Sequence, residues 1–296
     1  MIDGFRIPIG DGITSVIDAV TGALGGLFDL IAMIFTACYD GVAWALTAPP
    51  FWIVILVIAA IAVLAKGWKL ALGSVIGLIL IVGVDQWDKA MQTLALTLVA
   101  AMIAIVIAIP VGIWAARVPV VSAVIRPVLD FLQTMPAFVY LIPAITVFSV
   151  GVVPGIVATV LFAVAPGVRL TELGIRGVDD EVVEAGQAFG ATPGRILRQI
   201  QLPLAMPSIM AGVNQVIMLS LSMVVIASMV GGPGLGKDII QALSRVDIGL
   251  GFEAGLSVVI IAMILDRVTS GFGRRERARR TVPASSTAEQ AEPVAS

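Results

Sequence analysis

The sequence predicts an all-α polytopic membrane protein with about seven transmembrane helices, and three observations carry that prediction. Of 296 residues, 59% are hydrophobic and only 13% are charged, against about 25% charged in a soluble domain. Mean hydropathy is +1.06, which also excludes an intrinsically disordered chain. Four stretches (41–65, 90–116, 131–168 and 199–236) contain no charge at all, and a helix crossing roughly 30 Å of hydrocarbon needs about 20 mostly apolar residues. The remaining chemistry is sparse. With no His and one Cys, Cys38, the chain lacks the parts for a disulfide framework, a Cys/His zinc site or histidine acid–base catalysis. Its 18 basic and 20 acidic residues leave no electrostatic footprint for nucleic acid.

The elements follow in order. Segment 1–48 reads as an N-terminal amphipathic piece: Ile13, Val16, Ile17, Val20, Leu24, Leu27, Phe28, Ile31 and Phe35 recur at helical spacing while Asp11, Ser15, Asp18 and Asp29 avoid that face. A helix lying on the membrane and a scaffold helix packed on the bundle both account for it. The basic start and small-residue cleavage site of a secretory signal are missing. The transmembrane domain covers 49–271. Stretches 41–65 and 90–116 supply one span each, and about 68–84 supplies another. Stretch 131–168 fits two spans joined by a turn at Gly151–Gly155, favoured by Pro154. One span fits about 205–230, and the last, about 250–268, tolerates Glu253 and Asp266 near its ends. Pro110, Pro136, Pro143 and Pro166 interrupt spans and bend them. Residues 272–296 turn polar and read as a flexible cytoplasmic tail whose Arg cluster anchors topology.

Basic residues set the orientation. With the N-terminus outside and the C-terminus inside, fourteen Lys and Arg face the cytoplasm and four face outward. Trp52 and Trp87 then fall at outer boundaries and Trp68 and Trp114 at inner ones, as interfacial anchors should.

This topology puts the loop 172–203 in the cytoplasm, within a run from Arg169 to Arg198 that carries nine charges in thirty residues. Asp179 or Asp180 can cap a helix start, Val182, Val183 and Phe189 give that helix an apolar side, and Gly190 suits a left-handed stop. Thr192 and Pro193 read as the cap and first position of a second helix, running through Ile200 to Leu202-Pro203. The result is a compact, rigid knob. The spacing Glu184-Ala185-Gly186-x3-Gly190-x9-Ile200-x-Leu202-Pro203 resembles the EAA loop of permease subunits of binding-protein-dependent ABC importers, with Gly186 in place of the usual second Ala. Leu132–Pro143, Val168–Arg176, Leu204–Gln215 and Met223–Gly231 are similar to the ProW-type permeases of glycine betaine and proline betaine uptake. The likeness covers about residues 50 to 270.

The resemblance implies a type I importer permease that is itself no enzyme. It implies a permease homodimer, a cytoplasmic ABC ATPase subunit that carries the ATP and Mg²⁺, an extracytoplasmic substrate-binding protein, and membrane lipid around the bundle. No cofactor or metal is implied on this chain. Choline and carnitine importers share the pattern. Glu184, Ala185, Gly186, Gly190, Thr192, Pro193, Ile200, Leu202 and Pro203 form the expected coupling loop. For a translocation path the candidates are Met135, Pro136, Phe138, Tyr140, Asn214 and Ser222, with helix bridging the favoured role for Asn214 and its neighbour Gln215. A quaternary ammonium cannot donate hydrogen bonds and is held by aromatic faces, which are scarce here, so tight recognition is expected in the partner. Gly231–Lys237 superficially fits a phosphate loop, but Asp238 stands where Ser or Thr must follow, and a span-ending turn is expected instead. An ion-coupled carrier would want buried carboxylates, and a non-transporting subunit would not need the knob.

Overall fold

A computed structural model describes residues 9–278, and the expected tail beyond Ala278 lies outside the described residues. Twelve helices follow one another: α1 Ile9–Thr47, α2 Phe51–Lys66, α3 Trp68–Gly83, α4 Trp87–Arg117, α5 Pro119–Thr134, α6 Leu141–Phe148, α7 Val152–Arg176, α8 Asp180–Ala188, α9 Pro193–Ile196, α10 Leu202–Ala227, α11 Leu235–Arg245 and α12 Ile248–Ala278. Among the described residues five helical runs are long and apolar enough to cross a membrane, and a sixth arises if the bent pair Pro119–Thr134 and Ala137–Phe148 counts as one span. At 16 residues each, α2 and α3 reach about 24 Å, short of a full crossing.

The centre is α7, which packs along α4 on one side and α10 on the other. Water exclusion drives nothing between helices inside lipid, so close van der Waals approach has to hold them, and small residues line these contacts. A Cβ on Gly167 would lie 2.7 Å from the Ala108 Cβ, and one on Gly174 would lie 2.7 Å from the Ser208 Cβ. Ala95, Leu96, Ala104, Ile156, Ala163 and Val216 fill one buried cluster along this seam. The α2–α3 pair and α12 cover α4 from another side around Leu78, Ile81, Met91 and Ile261.

The expected boundary at 48/49 coincides with a helix break: α1 ends at Thr47 and α2 starts at Phe51, because Pro49 and Pro50 remove consecutive backbone donors and push the preceding residue out of helical geometry. Two expectations need correction. Stretch 131–148 is not one helix. It breaks at Met135–Pro136, turns through a short 3₁₀ segment at Ala137–Tyr140, and bends by 110°. Finally, the turn between the two halves of 131–168 closes earlier than expected. Gly151 N–H donates to the Val230 carbonyl at 2.9 Å, and Pro154 sits in the first turn of α7, where a missing N–H costs nothing.

The N-terminal segment forms one helix of 39 residues with a non-helical step at Leu24. Phe35, Cys38, Val42 and Leu46 pack on the central cluster, and Phe28 meets Phe148 edge-on at 5.7 Å. This half acts as a scaffold on the bundle. Val16, Val20, Leu24 and Leu27, counted on the apolar face, are exposed instead.

Candidate functional site

The knob forms between α7 and α10. α7 continues to Arg176, so Glu172 and Arg176 belong to the span rather than to the expected loop. From Asp179 onward the local signals act as expected. The Asp179 carboxylate accepts from the Glu181 N–H at 3.0 Å, satisfying one of the unpaired donors at the start of α8. At the other end Gly190 adopts φ +75°. Ala191 N–H then reaches the Gly186 carbonyl at 3.1 Å and Gly190 N–H the Gln187 carbonyl at 2.8 Å, the paired bonds of a Schellman stop.

Thr192 occupies the cap position of the second helix without a side-chain bond, and its carbonyl accepts from the Arg195 and Ile196 N–H groups at 2.9 Å each. Pro193 takes the first helical position. The expected stop at Leu202-Pro203 does not occur. A wider π-helical turn over Leu197–Gln201 leads straight into α10. Pro203 has no N–H to give and its ring would crowd the preceding turn of an α-helix. The wide turn lets the helix pass through it.

Packing makes the knob stiff on one side and bare on the other. Ile196 and Leu197 are buried, and Leu197 joins Ile175, Ala205 and Ile209 at the base of the bundle. α8 lies against this leg: a Cβ at Gly186 would fall 2.6 Å from the Ile200 Cδ1, so glycine permits a closer approach than alanine. No residue of α8 is buried. Glu184 and Ala185 are exposed. Phe189, expected on the apolar side of its helix, is 92% exposed, and Val182 is exposed beside it. Phe189 and Val182 thus leave apolar surface exposed on an otherwise charged protrusion.

Beneath the knob lies a polar cluster that spacing alone did not reveal. The buried Glu172 carboxylate accepts from Ser122 Oγ at 2.6 Å and Arg126 Nη2 at 2.9 Å, and pairs with Arg176 Nε at 3.2 Å. Arg176 also donates to the Ala115 carbonyl at 2.8 Å, and Arg169 pairs with Asp130. These bonds tie the ends of α4, α5 and α7 together around a cavity of about 350 Å³. The participants come from α4, α5 and α7, and only the i,i+4 pair Glu172/Arg176 had a local signal.

The path candidates do not converge. Phe138 and Pro136 are exposed and Met135 is half-buried. Tyr140 is buried, its hydroxyl donating to the Leu132 carbonyl and its ring set edge-on to Phe162 at 6.2 Å, so it braces the break at Pro136 rather than lining an open surface. Asn214 donates to Asp266 Oδ1 at 3.2 Å and accepts from Thr269 Oγ1 at 2.6 Å, a bridge between α10 and α12. Gln215 is exposed, and Ser222, also exposed, bonds its own helix at the Met218 carbonyl. The Gly231–Lys237 segment is a packed junction: Leu235 N–H donates to Thr93 Oγ1 at 2.9 Å, and Asp238 accepts from Lys89 Nζ at 2.5 Å and Gln86 Nε2 at 2.9 Å.

Known proteins resemble this chain in sequence or in fold. The chain is 47% identical to the glycine betaine/carnitine transport permease protein GbuB of Listeria monocytogenes, over 92% of this chain and 97% of that one. It is 44% identical to the glycine betaine/proline betaine permease ProW of Escherichia coli, over 92% of this chain and 77% of that one. Its fold matches the MetNI methionine ABC transporter in an inward-facing conformation, with a TM-score of 0.58 at 21% identity over 64% of this chain and 95% of that one. Residues 108–278, which hold the knob and all three central helices except the first part of α4, match the family of binding-protein-dependent transport system inner membrane components, and the chain belongs to that family.

Proposed function

We propose that this chain is the permease of an ATP-driven importer for quaternary-amine osmoprotectants of the glycine betaine and proline betaine type. It works as a homodimer, with two ATPase subunits on the cytoplasmic side and a substrate-binding protein outside. The substrate class rests on relatives that match over nine-tenths of this chain. The coupling role rests on one observation: a bare, capped α8 carrying an exposed Phe189 is joined to α10, without a flexible link, through a leg anchored by the buried Ile196 and Leu197. Driving a two-state equilibrium from 1:99 to 99:1 takes roughly 5.5 kcal/mol, and a soft contact would dissipate it.

Recognition of the solute falls mainly to the binding protein. A quaternary ammonium is held by aromatic faces, and of the two Tyr in the chain, Tyr140 is buried with its hydroxyl engaged. An ion-coupled carrier is the weaker reading. Glu172 and Asp238 are buried but each is neutralised by basic partners, and Asp266 is engaged by Asn214.

Uptake of labelled glycine betaine, carnitine and choline in a transport-null host, with the ATPase and binding protein supplied, tests the proposal. Glycine betaine should accumulate only when all three components are present. Accumulation without the ATPase, or none of the three solutes entering, overturns it.

A further inference from the structure

A cavity of about 510 Å³ away from the knob is a groove between α3 and α12. Gly73, Gly77 and Ile264 line its apolar body, and Lys66, Lys69 and Arg267 line its mouth. Two close approaches fix the levels: a Cβ at Gly77 would lie 2.7 Å from Ile260 Cγ2, and one at Gly271 would lie 2.7 Å from the Ala65 carbonyl. α3 and α12 therefore run in opposite directions, and the start of α3 with its two lysines stands level with the stretch of α12 that contains Arg267. All three cations cluster at one end of an otherwise apolar channel.

Their charges have little compensation. Arg267 lies 3.9 Å from Asp266, whose other oxygen is bonded by Asn214. Among the described residues neither Lys66 nor Lys69 forms an ion pair, and no carboxylate lines the groove. Trp68, 68% exposed between the lysines, puts this end at the depth where indole rings favour the membrane–water boundary. An apolar slot opening at that depth beneath three cations is complementary to one kind of molecule: two acyl chains below a negatively charged headgroup.

We propose that the α3–α12 groove is a binding site for an anionic phospholipid, with acyl chain over Gly73 and Gly77 and the phosphate at Lys66, Lys69 and Arg267. The lipid fills the groove between α3 and α12 beside their close approach at Gly77 and Ile260.

The test uses the purified full-length chain, equilibrated in detergent with equimolar dioleoylphosphatidylglycerol and dioleoylphosphatidylcholine, with retained lipid counted by native mass spectrometry. The wild-type chain should retain phosphatidylglycerol in preference. A basic residue near an anionic surface is worth about fivefold in affinity, so Lys66→Gln/Lys69→Gln should cut that preference by roughly 25-fold. Gly73→Leu, whose new side chain meets open space, should displace lipid of either class while the charges stay. An unchanged preference in the lysine variant overturns the proposal. Displacement of the lipid by millimolar inorganic phosphate, with Gly73→Leu silent, also overturns it, because the ligand would then be a free anion. The readout is lipid retention rather than uptake, so a negative result leaves the permease assignment standing.

Discussion

α7 and α8 are neighbours in sequence and opposites in surroundings. Of the 25 residues of α7, 17 are buried, and two long helices clasp it along its length. Of the nine residues of α8 none is buried. A helix this short is not stable by itself in water, so its order comes from its ends, the Asp179 cap and the Schellman stop at Gly190, and from one face resting on Ile196 and Ile200. α7 owes its shape to what surrounds it inside the chain. α8 carries its shape ready-made, with an exposed phenyl ring waiting for a surface outside it. On the coupling role proposed above, the contrast separates the part that makes the protein fold from the part that would engage the ATPase.

That separation can be broken experimentally, beginning with the largest effect. Gly112 faces α7 so closely that a Cβ would meet the Thr171 Cβ at 2.6 Å and the Val168 carbonyl at 2.8 Å. Gly112→Val forces backbone apart and should cost about 3 kcal/mol or more, seen as loss of monodisperse protein on size exclusion and not as a selective transport defect. Glu172→Ala removes the acceptor shared by Ser122, Arg126 and Arg176. Because both arginines are partly exposed, the loss should be about 1–3 kcal/mol, read as a lowered unfolding temperature with the chain still inserted.

In the knob the effects should move from stability to coupling. Gly190→Val places a β-branched residue at φ +75°, which costs about 1–2 kcal/mol locally. It should abolish uptake and ATPase stimulation while expression and insertion stay at wild-type level. Phe189→Ser removes no internal contact and should change stability by less than about 0.5 kcal/mol, yet weaken co-purification with the ATPase. Gly186→Ala should be nearly silent in both assays, since its only tight neighbour is the end of the Ile200 side chain, and a strong phenotype there would show that α8 docks on its leg more rigidly than the packing implies.

Much of this was legible in the sequence, and the reasons differ by region. Charge-free length located α4 within a few residues, because the cost of charge in hydrocarbon is a local property. Asp179, Gly190 and Pro193 announced the knob for the same reason, since caps and stops are written within one or two turns. Charge-free length is blind to breaks, however, and Pro136 divides a stretch that hydropathy alone joins. Its chemistry was the available signal, and it was read as a bend where the chain makes a full interruption. The role of Tyr140 was hidden because it depends on Leu132 and Phe162, and the partners of the Asn214 bridge, Asp266 and Thr269, are brought near only by the fold. The Glu172 cluster was hidden likewise, since Ser122 and Arg126 stand some fifty residues away in the chain.

The unbroken passage from Pro193 to Val230 is a run of 38 residues, about 57 Å from end to end. Its far tip is fastened to the opposite side of the molecule where the Val230 carbonyl receives Gly151 N–H. A tilt of a few degrees at the knob therefore arrives there as a displacement of several ångströms, amplified in the manner of a long lever. Spin labels at Phe189 and Met229 should swing in concert through one turnover, with no lag between the two faces of the bilayer.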